Sequence, residues 1–168
     1  IFTGAIIPLL MREFSRSLES KDEKKLISDY KKYIPRFLYL SSYFCIFISS
    51  QSEVITSIFG GYKFTDSIII VSLMVILPIH QTYGQINTSL LYANGKTKLI
   101  SKIGIFGMLF GLILSYFLIL PDNLGGKNLG GIGLAIKMLF IQFMTVNIQV
   151  WYIAKFLKLN FISLIKEE

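Results

Sequence analysis

Residues 75–96 read VILPIHQTYGQINTSLLYANGK. The stretch begins as apolar as a bilayer-crossing helix and turns polar after Pro78, where His80, Gln81, Tyr83, Gln85, Asn87 and Thr88 follow one another closely. Polar side chains at membrane depth are unfavourable unless they meet partners, a bundle interior or water. The way this segment resolves that conflict decides how the chain folds.

The composition around it is that of a membrane protein. Of 168 residues 53% are hydrophobic and 16% charged, with a mean hydropathy of +0.60; a soluble domain carries about 25% charge. The charges cluster and leave four long apolar windows at 37–59, about 67–92, 103–121 and 132–154. Each has about the 20 residues that a spanning helix needs. None alternates with the period of two expected of a membrane barrel. The expected fold is therefore an all-α membrane bundle with four full transmembrane helices, a truncated first helix and a cytoplasmic amphipathic helix. The opening IFTGAIIPLLM lacks the basic flank of a signal peptide and would reach only about 16 Å as a helix. It is read as the tail of a helix cut short, and residues 1–168 as one partial transmembrane domain of a longer protein.

The net charge of +7 does not point to nucleic acid, because the basic residues lie between the apolar runs. Lys and Arg number eight in residues 12–36, one in 60–66, three in 93–102, one in 122–131 and three in 155–168. This alternation fits four crossings, and the positive-inside rule places the first, third and fifth of these segments in the cytoplasm. The lone cysteine, Cys45, offers neither a disulfide nor a metal site. No HExxH, GxSxG or polar carboxylate pair is present, so neither an enzyme nor a cofactor is expected. The expected location is a cell membrane, plasma or inner, crossed several times.

Between the first two apolar runs, Leu18, Ile27, Tyr30 and Ile34 could form one face of an interfacial helix over residues 12–35, with Pro35 breaking it before the next span. The bland alternative is a solvated linker. The tail LNFISLIKEE, residues 159–168, reads as a second interfacial piece or the start of a further span.

Within the second span, the outer half SIIIVSLMVIL (67–77) is greasy all round. In the inner half, His80, Tyr83, Gly84 and Asn87 share one helical stripe, and Gln81, Gln85 and Thr88 the next. Pro78, with no N–H to donate, should kink the helix at the junction. Two readings remain open: the polar face lines an inward-opening cavity, or it hydrogen-bonds to neighbouring helices. His80 is either proton-sensitive or a packed hydrogen bonder. Lys137 and Glu53 fall at the same depth near the outer leaflet. They pair, or Lys137 snorkels, or Lys137 faces a cavity and holds an anion. Gln142, Thr145 and Gln149 form a second polar stripe, with Asn147 off it. Gly107 and Gly111, following Gly104, have the spacing that lets helices approach closely. The glycine-rich LGGKNLGGIG (124–133) lacks the context of a nucleotide-binding loop.

The order of these features resembles the C-terminal lobe of polysaccharide-exporting flippases in the multidrug/oligosaccharidyl-lipid/polysaccharide superfamily. The similar elements are IIPLLMREFSR (6–16) before a charged loop, EVITSIFGGYKF (53–64), LLYANGKTK (90–98) and the helix start GGIGLAI (130–136). Each is short, and the specificity lies in their order and spacing. The resemblance implies two pseudo-symmetric bundles rocking about a central cavity to flip a lipid-linked oligosaccharide on an undecaprenyl- or dolichyl-diphosphate carrier. It also implies that the partners are this lipid-linked cargo, membrane lipids and a missing N-terminal lobe of the same chain. The implied cavity is cationic, with Arg12 and Lys137 as the anion contacts and His80, Gln81, Gln85 and Asn87 as hydrogen-bonding groups. A drug or cation antiporter of the same superfamily would need an acidic cavity, and Glu53 is the one acidic residue within a span. A non-transporting membrane scaffold would bury the polar stripes between helices.

Overall fold

A computed structural model describes residues 2–160, and the side chains of that stretch apart from residues 2–6 and Tyr62. The described residues are helical without strands. Seven α-helices follow in order: α1 (Phe2–Glu19), α2 (Glu23–Ser50), α3 (Ser52–Gly60), α4 (Ile68–Met74), α5 (Leu77–Ala93), α6 (Thr97–Ile119) and α7 (Gly130–Leu157). Short 3₁₀ turns at Tyr62–Ser67 and Asp122–Leu124 connect them. Three stretches are long and apolar enough to cross a membrane: Lys63–Ala93, Thr97–Ile119 and Gly130–Leu157. At 1.5 Å per residue α6 and α7 extend about 34 and 42 Å, enough for a hydrocarbon core of about 30 Å.

The first expected span, 37–59, is not one helix. The chain breaks at Gln51, whose amide turns back to Ile48 and Ser49, and α3 restarts at Ser52. Nor do residues 12–35 form a helix of their own. They divide between the end of α1 and the start of α2, joined by a turn at Ser20–Asp22. Asp22 caps α2, its carboxylate accepting from the Lys25 amide at 2.9 Å, a contact that satisfies one of the free donors of a helix start. Pro35 does not break α2. Leu26, Tyr30 and Ile34 are buried as one face of it, and this face packs into the core together with Phe37 and Leu38, so tertiary packing carries the helix through the proline. The tail from residue 161 onward lies outside the described residues.

Contacts along the helices fix their relative directions. Tyr30 near the start of α2 meets Asn87 near the end of α5, and Ser52 meets Ser72 of α4, so α2 runs antiparallel to α4–α5. His80 lies beside Gln142, and Thr88 beside Gln149, so α5 and α7 are parallel. Gly107 and Gly111 face Thr145 and Ile141, making α6 and α7 antiparallel. α5 sits in the middle and packs on α1, α2 and α7, while α6 leans chiefly on α7.

The crossings are close because small residues allow it. A Cβ on Gly84 would lie 2.9 Å from Val146 Cγ2, and one on Gly111 would lie 2.8 Å from Ile141 Cδ1. The expected packing role of the Gly107–Gly111 pair is met in this way. The outward faces stay greasy: Tyr39, Phe44 and Ile46 of α2 and Ile105, Met108, Leu109 and Leu112 of α6 are exposed.

The core gathers at the end of the bundle where α1, α5 and α7 finish and α2 and α6 begin. Its members include Phe14, Leu26, Tyr30, Leu90, Val150, Ile153 and Leu157. Here α1, α5 and α7 end alike: the amides of Asp22, Lys96 and Leu159 reach back to the carbonyls of Ser17, Leu91 and Ala154, as in Schellman caps. The left-handed residue of the α5 cap is Gly95, with φ of 67°. In α1 and α7 it is a lysine, Lys21 with φ of 55° and Lys158 with φ of 54°. That conformation is unfavourable for a residue with a Cβ by about 1–2 kcal/mol.

Replacing Gly84 by Leu should lower the thermal stability of the purified protein, since overpacking a close crossing costs about 1–3 kcal/mol. Gly104→Leu, where a Cβ meets nothing within 4 Å, should leave it unchanged. Equal melting temperatures for the two variants would refute a close α5–α7 crossing.

Candidate functional site: the polar half of α5

The break expected at Pro78 is present one turn earlier than the proline itself. α4 ends at Met74 and α5 starts at Leu77, which puts Pro78 in the first turn of α5, a position where its missing N–H is not needed. The two halves then behave in opposite ways. No residue of the apolar α4 is buried, whereas Thr82, Tyr83, Gly84, Ile86, Asn87, Ser89, Leu90 and Leu91 of α5 all are. The greasy half is the one at the surface, and the polar half is largely enclosed by protein.

Three sides of α5 are occupied. Toward α2, Tyr30 Oη donates to Asn87 Oδ1 at 2.7 Å, with both residues fully buried. Toward α7, the Gln142 amide donates to the His80 carbonyl and the Gln149 amide to Thr88 Oγ1, each at a long 3.4 Å, and the His80 ring stands edge-on to Phe143 with centroids 5.4 Å apart. Gly84 lies between these two contacts. The remaining buried side, with Thr82, Ile86 and Ser89, is left for α1, whose Leu10, Phe14 and Ser17 are buried in turn. Thr82 and Ser89 return their hydroxyls to the carbonyls of Pro78 and Gln85 one turn back, which satisfies them without a partner helix.

One strip of α5 stays open. Pro78, Gln81 and Tyr92 are exposed, and Gln85 is half-buried. At helical spacing these four residues form a stripe between the sides taken by α7 and α1. Two enclosed oxygens bordering it, Gln85 Oε1 and Gln149 Oε1, have no hydrogen-bond partner among the described residues; Asn87 Nδ2, on the side turned to α2, has none either. Buried groups of this kind are uncommon in folded proteins.

The six residues expected to bind cargo therefore separate. Gln81 and Gln85 share the open strip, with His80 partly covered beside them. Asn87 is enclosed and its oxygen is taken by Tyr30, so in this arrangement it holds α5 to α2. Arg12 is exposed on the face of α1 turned away from Leu10 and Phe14, in a shallow groove with Arg16 and Glu19. Lys137 is near the opposite end of the bundle, where its ammonium donates to Ser115 Oγ of α6 at 3.0 Å. Glu53 is exposed on α3. The second polar stripe also divides. Gln142 and Gln149 turn to α5, while Thr145 bonds to its own helix and packs on Gly107. Tyr30, taken from the sequence as part of an interfacial face, is the buried partner of Asn87. The signal was available, since a tyrosine on an apolar stripe still needs a partner for its hydroxyl.

Comparison of the chain with protein-family models, with curated proteins and with solved structures finds no match.

Tyr30→Phe should destabilise the protein by about 1–3 kcal/mol by stranding the buried Asn87 carbonyl. Adding Asn87→Leu should recover most of that loss. Thermal unfolding of the two single variants and the double variant measures the coupling, and strictly additive effects would rule out a working bond.

Proposed function

We propose that the chain is part of a membrane transporter that flips a lipid-linked oligosaccharide or polysaccharide repeat unit by alternating access. The reading rests on the open strip of α5. Two glutamine side chains, Gln81 exposed and Gln85 half-buried, lie in a stretch long and apolar enough to cross a membrane. Primary amides facing acyl chains are costly, so this strip is expected to face water or a polar cargo. A sugar headgroup presents hydroxyls that both donate and accept, and an amide matches both. The order of motifs shared with polysaccharide flippases supports the same reading.

In this mechanism α1 and α7 flank the path, α5 forms its floor, and Gln81 and Gln85 exchange hydrogen bonds with the passing headgroup. His80, braced by Phe143, borders it. Arg12 and Arg16, exposed on the outer face of α1, would meet a diphosphate only across an interface with another bundle, which is the place of the lobe that the resemblance implies. Lys137 contributes near the far end of the path if its bond to Ser115 is exchanged for an anion. The basic ends of the helices face the cytoplasm, and four spans are completed by α2 with α3.

A second reading has its own support. The bonds from Tyr30 to Asn87, Gln142 to His80 and Gln149 to Thr88 are what a non-transporting scaffold would use to hold its helices. Thiol labelling separates the two. In the intact protein with Cys45 replaced by Ala, Gln81→Cys and Gln85→Cys should react with a membrane-impermeant thiol reagent, and Asn87→Cys should not. Gln81→Leu with Gln85→Leu should reduce glycan export at least tenfold at unchanged protein level. Unreactive cysteines at 81 and 85, with full export by the leucine variant, would leave the scaffold.

A further inference from the structure

A feature that the sequence did not single out lies at the basic end of the bundle, away from the α5 strip. A cavity of about 290 Å³ opens there between the ends of α1, α2, α5 and α7. Ser17, Lys21, Asn94 and Lys158 are among its lining, and Leu18, Ile27 and Phe156 give it an apolar wall. Glu23 also lines it, so two basic residues and one acidic residue stand at its exposed rim. Ser17 is 1% exposed and its Oγ has no hydrogen-bond partner among the described residues. It is an enclosed hydroxyl at the wall of a polar hollow with nothing to bond.

The two lysines are in the left-handed conformation that helix ends usually give to glycine, and Gly95 occupies the equivalent place in α5. One such lysine is accounted for by its own helix, whose C-terminal carbonyls attract a cation. Two of them, on helices far apart in sequence and both lining one cavity, give up backbone comfort at the same place. Strained positions that persist are a reason to look for a ligand. We propose that this cavity binds a phosphate group at the membrane surface, carried on the headgroup of an anionic lipid or supplied as free phosphate. Lys21 and Lys158 neutralise its charge, the Ser17 hydroxyl and the Asn94 amide donate to its oxygens, and the apolar wall accepts the start of a lipid chain. The site is separate from the strip on α5, and it stands whether or not the protein flips a glycan.

The test is made on the intact protein in nanodiscs. Wild type should be thermally stabilised on replacing phosphatidylcholine by phosphatidylglycerol, and it should retain phosphatidylglycerol in native mass spectrometry. Each lysine near a membrane surface contributes roughly a fivefold gain in anion affinity. Lys21→Gly with Lys158→Gly should therefore weaken retention by about thirtyfold on the same basis, while its melting temperature in pure phosphatidylcholine stays equal or rises, because glycine suits both positions. Ser17→Ala, which alters no charge, should weaken retention by a smaller factor. Competition by inorganic phosphate assigns the site to the soluble ion, and its failure assigns it to the headgroup. Undiminished retention in both the double-glycine and the Ser17→Ala variants would overturn the proposal. So would a phosphatidylglycerol effect absent from wild type together with no response to inorganic phosphate.

Discussion

A helix with amides and hydroxyls on several faces, inside a stretch long and apolar enough to cross a membrane, cannot be left to lipid, and this one constraint arranges the bundle. In hydrocarbon an unpartnered amide or hydroxyl costs several kcal/mol. The chain answers by placing α5 in the middle, with α1, α2 and α7 around it. Gly84 makes the arrangement tight. It gives up a side chain where Val146 and Gln142 of α7 come within van der Waals reach. The Tyr30–Asn87 bond then pins the adjoining side of α5 to α2.

The rest follows from α5 being inside. α4, continuous with it in sequence and apolar but for Ser72, is left with no buried residue. α6 leans on α7 through its glycine face and turns its large side chains outward, as a helix bordering lipid does. The densest packing collects at the basic end, where α1, α5 and α7 terminate, and the other end is held by fewer contacts, such as the Ser52–Ser72 hydroxyl pair. A bundle packed tightly at one end and loosely at the other suits a protein whose two ends must behave differently.

The elements most readable from the sequence were those set by composition and spacing over a long window. The apolar runs at 103–121 and 132–154 reappear as α6 (Thr97–Ile119) and α7 (Gly130–Leu157), the first starting earlier and ending slightly sooner, the second longer at both ends. The Gly107–Gly111 pair meets α7, and a discontinuity precedes Pro78. What remained hidden was set by tertiary partners. Pro35 resembles a helix stop, but packing of Leu26, Tyr30 and Ile34 overrides it. Gln51 carries no breaker signal, yet α2 ends there. The polar stripe of α5 was legible as a stripe, but its division between enclosed Asn87 and open Gln81 depends on which neighbour takes which side. The separation of Arg12, Gln81 and Lys137 likewise follows from bundle geometry, which no spacing along the chain encodes. Lys21 and Lys158 read in the sequence only as loop charges, and the cavity that joins them depends on how α1 and α7 end side by side.

The interruption at Val75–Ile76 has a mechanical consequence. Within a bilayer a joint is tolerated only if it leaves no backbone amide bare. Here the amides of Val75 and Ile76 stay bonded, to the carbonyls of Val71 and Leu73 at 3.0 and 3.1 Å. The two rods on either side are thus joined through a turn in which these two amides are already bonded. The upper rod, held on one side by α3 and α7 and by the Ser52–Ser72 bond, turns residues such as Ile69 outward, while the lower one is clamped among its neighbours.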